Sequence, residues 1–335
     1  MTWPDPIAEL EPTVVFESYW KFVAARYDVY LRRLRGESPP WTADPVLSQY
    51  KFTNVFRATD RVSQKGIAIS LDEISAASLE EQFFRILLFK LFNKIETWEA
   101  LTEALGEEPR IANYDFARYN SILEALMKTG VKIYSAAYMM PCPGDYGVAG
   151  IVRKHSMHLH MLGDMLDARV PYYLLEGGSL EKAYNVLRKV RMFGNFTAYQ
   201  FTIDVNYGPF LGYDEDSFIV PGPGAEEGIA KCFGALKRRP FAEVIRLVTD
   251  YQDLLSEAVV NAPAPRLFGR PLQLIDVQNC FCEIAKYARV AHPEFNNTRT
   301  RIKHGYKPSW FRPLPEPIFP RQWKIAFTPE EVSRY

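Results

Sequence analysis

Val190-Arg-Met-Phe-Gly-Asn-Phe-Thr-Ala-Tyr-Gln200 is the stretch on which the fold turns. Helical spacing precedes Gly194 and resumes after it, so the run reads as two short helices joined by a tight turn. Glycine suits such a turn because a side chain would block the approach of an anion to the free N–H groups of the following helix. A second run of the same kind, Val220-Pro-Gly-Pro-Gly-Ala-Glu-Glu-Gly-Ile229, sets Gly222 and Gly224 directly before a helix. Together they predict two phosphate-binding hairpins, with ordinary helix caps as the alternative for each.

Around these turns nearly everything has a helical period. Apolar residues recur at 3.6-residue spacing in 13–35, 46–64, 78–95, 97–105, 115–129, 155–168, 179–192, 197–205, 225–237, 240–261 and 275–290. Strand signals are confined to Lys132–Ala137. The expectation is a mainly α protein, with one helical domain over 1–291 in two lobes. Residues 292–335, rich in Pro, Arg, Lys, Trp and Phe without periodicity, read as an extended C-terminal arm.

Composition narrows the function. With 40 basic and 40 acidic residues there is no global field to draw the chain to nucleic acid or membrane, so any basic surface is local. The densest basic run is Arg299, Arg301, Lys303, His304 and Lys307, followed by Trp310 and Phe311 as stacking or wedging groups. Cys142, Cys232, Cys280 and Cys282 lack zinc-site spacing, and His155, His158 and His160 lack a carboxylate or paired cysteine to complete a metal site. No metal and no cofactor is expected. The start Met1-Thr-Trp-Pro-Asp-Pro has no secretory character and no apolar run approaches a membrane span, which predicts a cytoplasmic protein; a monomer is expected.

The Val190–Gln200 run resembles the hairpin of helix-hairpin-helix DNA glycosylases: Gly194, Thr197 and Ala198 match, and Met192 stands where the pattern has its first glycine. In that superfamily an aspartate about twenty residues beyond the hairpin stabilises an oxocarbenium-like sugar. From Gly194 the count reaches Asp214-Glu215-Asp216; the second hairpin leads instead to Asp276. Asp216 is favoured, Asp276 and Asp214 are retained, and N-capping is the alternative reading of all three. Thr197 and Glu227 occupy the Schiff-base lysine position, so no lyase activity is expected.

Pro40-Trp41-Thr-Ala-Asp-Pro45, followed by Phe52-Thr-Asn-Val-Phe-Arg-Ala-Thr-Asp60, resembles the element that lines the flipped-base pocket of such enzymes. Read as one helix, it places Asn54, Arg57 and Asp60 on one side. Those runs, with Ala198-Tyr-Gln200, Asp204, Gly222–Ala225, Cys282-Glu283 and Lys286-Tyr287, resemble the alpha-glutamyl/putrescinyl thymine pyrophosphorylase family and the helical domain of hydroxymethyluracil DNA kinases. The resemblance implies double-stranded DNA carrying modified pyrimidines as partner. It leads to a base pocket of Asn54, Phe56, Arg57, Asp60, Tyr199 and Gln200, and to phosphate contacts at Gly194, Gly222, Gly224, Lys286, Arg299, Arg301 and Lys303. The expected reaction is excision of a 5-substituted pyrimidine by a monofunctional glycosylase in anti-phage defence. Alternatives are an amino acid or polyamine transferase acting at the 5-methylene of phosphorylated 5-hydroxymethyluracil, and a non-catalytic reader of modified DNA.

Overall fold

The computed structural model describes residues 3–136, 140–142, 146–296, 299–302, 304–306, 314–325 and 327. Sixteen α-helices account for most of them and no named strand occurs among them, so the mainly α expectation holds. The stretch Lys132–Ala136 is not a strand. No helix of the described residues is long and apolar enough to cross a membrane. The chain divides into two compact units: residues 1–60, 218–317 and 325–335 form the first, and residues 61–217 with 318–324 form the second.

The first unit begins with α1 (Asp5–Ala8), α2 (Val14–Leu34) and α3 (Pro45–Gln49). It resumes with α13 (Pro223–Cys232), α14 (Phe241–Asp250), α15 (Gln252–Val260) and α16 (Leu274–Ala291). Thr13 starts α2 by accepting from the Val15 N–H, and its hydroxyl donates to the Lys231 carbonyl at 2.7 Å. One face of α2, including Phe16, Tyr19, Trp20, Phe22 and Val23, is buried. Phe16 meets Phe233 with ring centres 4.6 Å apart, and Tyr19 meets Phe281 at 4.7 Å, joining α2 to α16.

Helices α13 and α16 approach so closely that glycine is required on the contact. A Cβ at Gly228 would lie 1.9 Å from the Phe281 carbonyl oxygen, and one at Gly224 would lie 2.5 Å from Cys282 Sγ. Gly224 therefore has a packing reason independent of any anion. The Gly222 turn does deliver α13, with Gly222 at its N-cap.

The second unit holds α4 (Arg61–Leu71), α5 (Glu73–Ala76), α6 (Leu79–Phe92), α7 (Ile95–Leu105), α8 (Phe116–Lys128) and α9 (Lys154–Asp167). It closes with α10 (Val170–Glu176), α11 (Leu180–Leu187) and α12 (Asn195–Asn206). Helix α6 is central and buried on nearly all sides, with Phe83, Phe84, Leu87, Leu88 and Leu91 fully buried. Its one buried arginine, Arg85, is satisfied by Ser75 Oγ, the Pro109 carbonyl, Glu108 and Asp72. Lys90 pairs with Asp204 of α12 at 2.8 Å. The segment 318–324 rests on this unit: Gln322 donates to the Asn206 carbonyl and the Trp323 indole N–H donates to Glu215. His158 lies between the Tyr134 hydroxyl and the Pro141 carbonyl, and burial pulls its pKa down to about 4. It is a core histidine.

Between α11 and α12 the turn is built as its residues demand. Met192 has φ 75°, the left-handed conformation a glycine would take most easily, and Gly194 caps α12. The Arg188 guanidinium donates to the Phe193 carbonyl at 3.0 Å and so satisfies the turn.

Two substitutions test the α13–α16 contact. Gly228→Ala drives a methyl into backbone and is expected to cost about 3 kcal/mol. Gly224→Ala meets only a rotatable thiol and costs about 1 kcal/mol. Urea denaturation of both variants checks the order; equal losses would show that the helices separate freely.

Candidate functional site

The segment 36–60 of the first unit carries the site. Gly36 (φ 75°) ends α2 and turns the chain towards Trp41, whose indole N–H donates to the Glu37 carbonyl at 2.7 Å. Asp44 caps α3 through the Val46 and Leu47 N–H groups, both at 2.8 Å, and its second oxygen accepts from the Tyr287 hydroxyl at 2.7 Å. After Gln49 the helix expected over 46–64 stops. Tyr50 pairs with Gly305 in an isolated antiparallel bridge, residues 51–56 run without helix, and Arg57–Thr59 make one 3₁₀ turn.

Side-chain acceptors explain the break. The Asn54 N–H goes to Asp60 Oδ1 at 2.8 Å and the Arg57 N–H to Asp276 Oδ1 at 2.8 Å, so neither serves a helical ladder. Arg26 of α2 binds the carbonyls of Thr53 (2.8 Å) and Asn54 (2.9 Å) from the other side. Asn54, Arg57 and Asp60 therefore do not share a helical face, although Asn54 and Asp60 still touch.

This loop walls a cavity of about 600 Å³. Its cationic lining is Arg26, Arg33 and Lys51, its aromatic lining Trp41, Tyr50, Phe52 and Tyr306, and Asn54 contributes an amide. Among the described residues no aspartate or glutamate lines it. Arg26, Val29 and Arg33 reach it together because they fall on one face of α2.

Behind Asn54 lies a carboxylate cluster. Burial pushes the Asp60 carboxyl from an ordinary value of about 3.9 to about 7, with the Asn54 N–H opposing, Glu283 adding to the rise, and Arg26 and Arg57 opposing it. Glu283 is 3 % exposed; one oxygen pairs with Lys286 at 2.6 Å and the other has no hydrogen-bond partner among the described residues. Burial depresses the Lys286 ammonium, but Glu283 and Cys282 outweigh it, and the net shift is upward. Lys286 is thus held by Glu283 within the unit.

The remaining expected residues fall elsewhere. Asp276 is 5 % exposed and grips backbone: besides Arg57 it accepts from the Gln273 N–H at 3.1 Å, capping α16. Phe56 is buried against Tyr27 and does not line the cavity. Tyr199 and Gln200 are buried in α12 of the second unit. Asp214 and Asp216 lie in an exposed to half-buried turn, where the Asp216 N–H donates to Asp214 Oδ1. The buried member there is Glu215. Arg299 is exposed and near Glu227 at 3.5 Å; that carboxylate also holds Arg289 at 3.0 Å and Lys231 at 3.6 Å. Arg301 is exposed, whereas Lys303, Lys307, Trp310 and Phe311 lie outside the described residues. Arg26, Arg33, Glu283 and Tyr306 were not expected as site groups. The one signal for the arginines was their i, i+7 spacing inside an otherwise apolar helix.

Asp60 makes stability depend on pH. Its carboxyl binds a proton more tightly folded than unfolded, so this contribution is complete below about pH 4 and is lost as pH rises through about 7. Asp60→Asn is expected to keep the Asn54 contact and to flatten the fall in stability between pH 5 and 8. Denaturation midpoints across that range check it; an unchanged pH slope would show that Asp60 ionises freely.

A family model described as "5-hmdU DNA kinase, helical domain" matches residues 13–297. A "5-hmdU DNA kinase" of Bacillus phage SP10 is 25 % identical over 288 residues, covering 82 % of this chain and 45 % of the relative. The chain therefore spans less than half the length of the curated relative it matches. No solved structure matches. These matches overturn the expectation of base excision by a glycosylase in defence, because both point to kinase-related DNA modification. The roles of Asp214, Asp216 and Asp276 in glycosidic cleavage fall with it. With the match running over most of its length, the chain belongs to the family of 5-hmdU DNA kinase helical domains.

Proposed function

We propose that this chain acts on 5-hydroxymethyluracil in DNA at the 5-methylene carbon, as a transferase whose electrophile is the phosphorylated 5-hydroxymethyl group. An amine of an amino acid or polyamine forms the new C–N bond, the C–O bond to phosphate breaks, and phosphate departs with the electron pair. The observation that carries this reading is Asp60, which lies behind the cavity wall, accepts there from the Asn54 N–H at 2.8 Å, and has its carboxyl raised by burial to about 7. An amine is protonated at neutral pH and must lose that proton before it attacks, a task suited to a base of matched pKa. The relative's name supports a 5-hmdU-containing DNA substrate; amine transfer is the alternative implied by the resemblance of the Phe52–Asp60 run to the alpha-glutamyl/putrescinyl thymine pyrophosphorylases. DNA-backbone contacts are assigned to the helix starts at Gly194 and Gly222 and to Arg299 and Arg301.

A second reading is favoured by the relative's length and printed activity: the chain is the DNA-recognising part of a kinase that phosphorylates the hydroxymethyl group. Its sequence contains no Gly-x-x-x-x-Gly-Lys-Ser/Thr phosphate loop, and the matched region is 45 % of the relative.

Duplexes carrying 5-hydroxymethyluracil or its phosphate ester, incubated with amino acids and polyamines or with ATP, separate these readings by the mass of the released nucleosides. Amine gain on the phosphorylated duplex, slowed about a hundredfold or more by Asp60→Asn, is expected. Phosphate gain on the hydroxymethyl duplex with ATP would install the kinase reading. Binding without any mass change would sink both.

A further inference from the structure

We propose that the cavity beneath the Trp41 loop holds a phosphate monoester borne on the 5-methylene of a pyrimidine, with Arg33 as the residue that reads the phosphate. The inference rests on the reading of 5-substituted uracil as substrate and adds to it a specificity-determining subsite.

The cations of the cavity differ in how far they are already engaged. Arg26 is 3 % exposed and its guanidinium is used on the Thr53 and Asn54 carbonyls, so it shapes the wall. Arg33 is half-buried, its Nε is shielded from solvent without a hydrogen-bond partner, and no carboxylate pairs with it among the described residues. Its contact is the Trp41 ring, 5.4 Å from the guanidinium carbon to the ring centre. Burial lowers its pKa, and Tyr306 opposes that shift. A half-desolvated arginine without a counter-ion is costly unless a ligand supplies the charge. Its planar fork matches phosphate oxygens in a bidentate pair.

The neighbouring groups complete the site. The Tyr306 hydroxyl is buried with no hydrogen-bond partner among the described residues, and its ring meets Trp41 edge-on at 6.0 Å. Trp41 and Phe52 supply flat apolar surface for a base, and Asn54, whose side-chain NH2 already donates to the Thr59 carbonyl at 2.9 Å, offers its amide oxygen. Among the described residues the lining carries positive charge without a single carboxylate, which favours a dianionic monoester over a neutral hydroxymethyl group. The volume suits one nucleotide-sized ligand.

Calorimetric titration of the full chain with 5-phosphomethyl-2′-deoxyuridine, 5-hydroxymethyl-2′-deoxyuridine and thymidine 5′-monophosphate tests this without DNA. The base-borne monoester is expected to bind about tenfold or more tighter than either of the others. Arg33→Ala removes that preference and Arg33→Lys restores part of it. Tyr306→Phe lowers it severalfold and supplies the test if Arg33→Ala does not fold. A preference that survives both Arg33→Ala and Tyr306→Phe, equal binding of the 5′-monophosphate, or no binding of any nucleoside would overturn the proposal. Base modification on duplexes is read separately. A retained nucleoside preference without duplex modification overturns only the transferase reading, and modification without the preference overturns only this one.

Discussion

Asp276 places one carboxylate between two stretches of chain far apart in sequence. One oxygen holds the Arg57 N–H and the other the Gln273 N–H at the head of α16. A buried carboxyl of this kind is tolerated only when hydrogen bonds meet it, and these two donors are backbone groups that would otherwise be orphaned. The consequence reaches the whole of the 50–60 segment. With the Arg57 N–H drawn to α16 and the Asn54 N–H to Asp60, the segment cannot be helical, and it opens into the wall of a cavity instead.

The close seam between α13 and α16 supports that arrangement from behind. Gly224 and Gly228 let the helices approach until backbone meets backbone, which sets where Cys282 and Glu283 stand on α16. Glu283 in turn lies near enough to Asp60 to raise its pKa and close enough to Lys286 to hold the ammonium. The glycines of the second hairpin thus serve the carboxylate cluster through packing, a role distinct from the anion contact their spacing suggests. The result is a polar pair behind a positively charged, aromatic cavity.

Much of the secondary structure was legible because helical periodicity is a local property. The rhythm at 13–35, 78–95 and 275–290 corresponds closely to α2, α6 and α16. The same reasoning failed at 46–64, where Leu47, Tyr50, Val55 and Phe56 have helical spacing but the competing acceptors, Asp60 and Asp276, are invisible to a period count. Nor could a count along the chain tell that Asp214–Asp216 form a turn with Glu215 as its buried member, since spacing carries no information on burial. Asn54 and Asp60 were legible as polar residues in a distinctive run; Arg33 and Tyr306 were not, because nothing local marks a side chain as lacking a partner.

What the sequence determined alone is therefore the class of fold, the kinship to the helical domain of 5-hmdU DNA kinases, and the residue types on each helix face. These depend on neighbours within a few turns. Only the tertiary structure decided which of those residues share a site, which carboxylates are clamps and which can titrate near neutrality. Desolvation and hydrogen bonding are set by groups brought from distant parts of the chain: Asp276 became a backbone clamp and Asp60 a carboxyl raised to about 7, although both are aspartates near apparent helix starts.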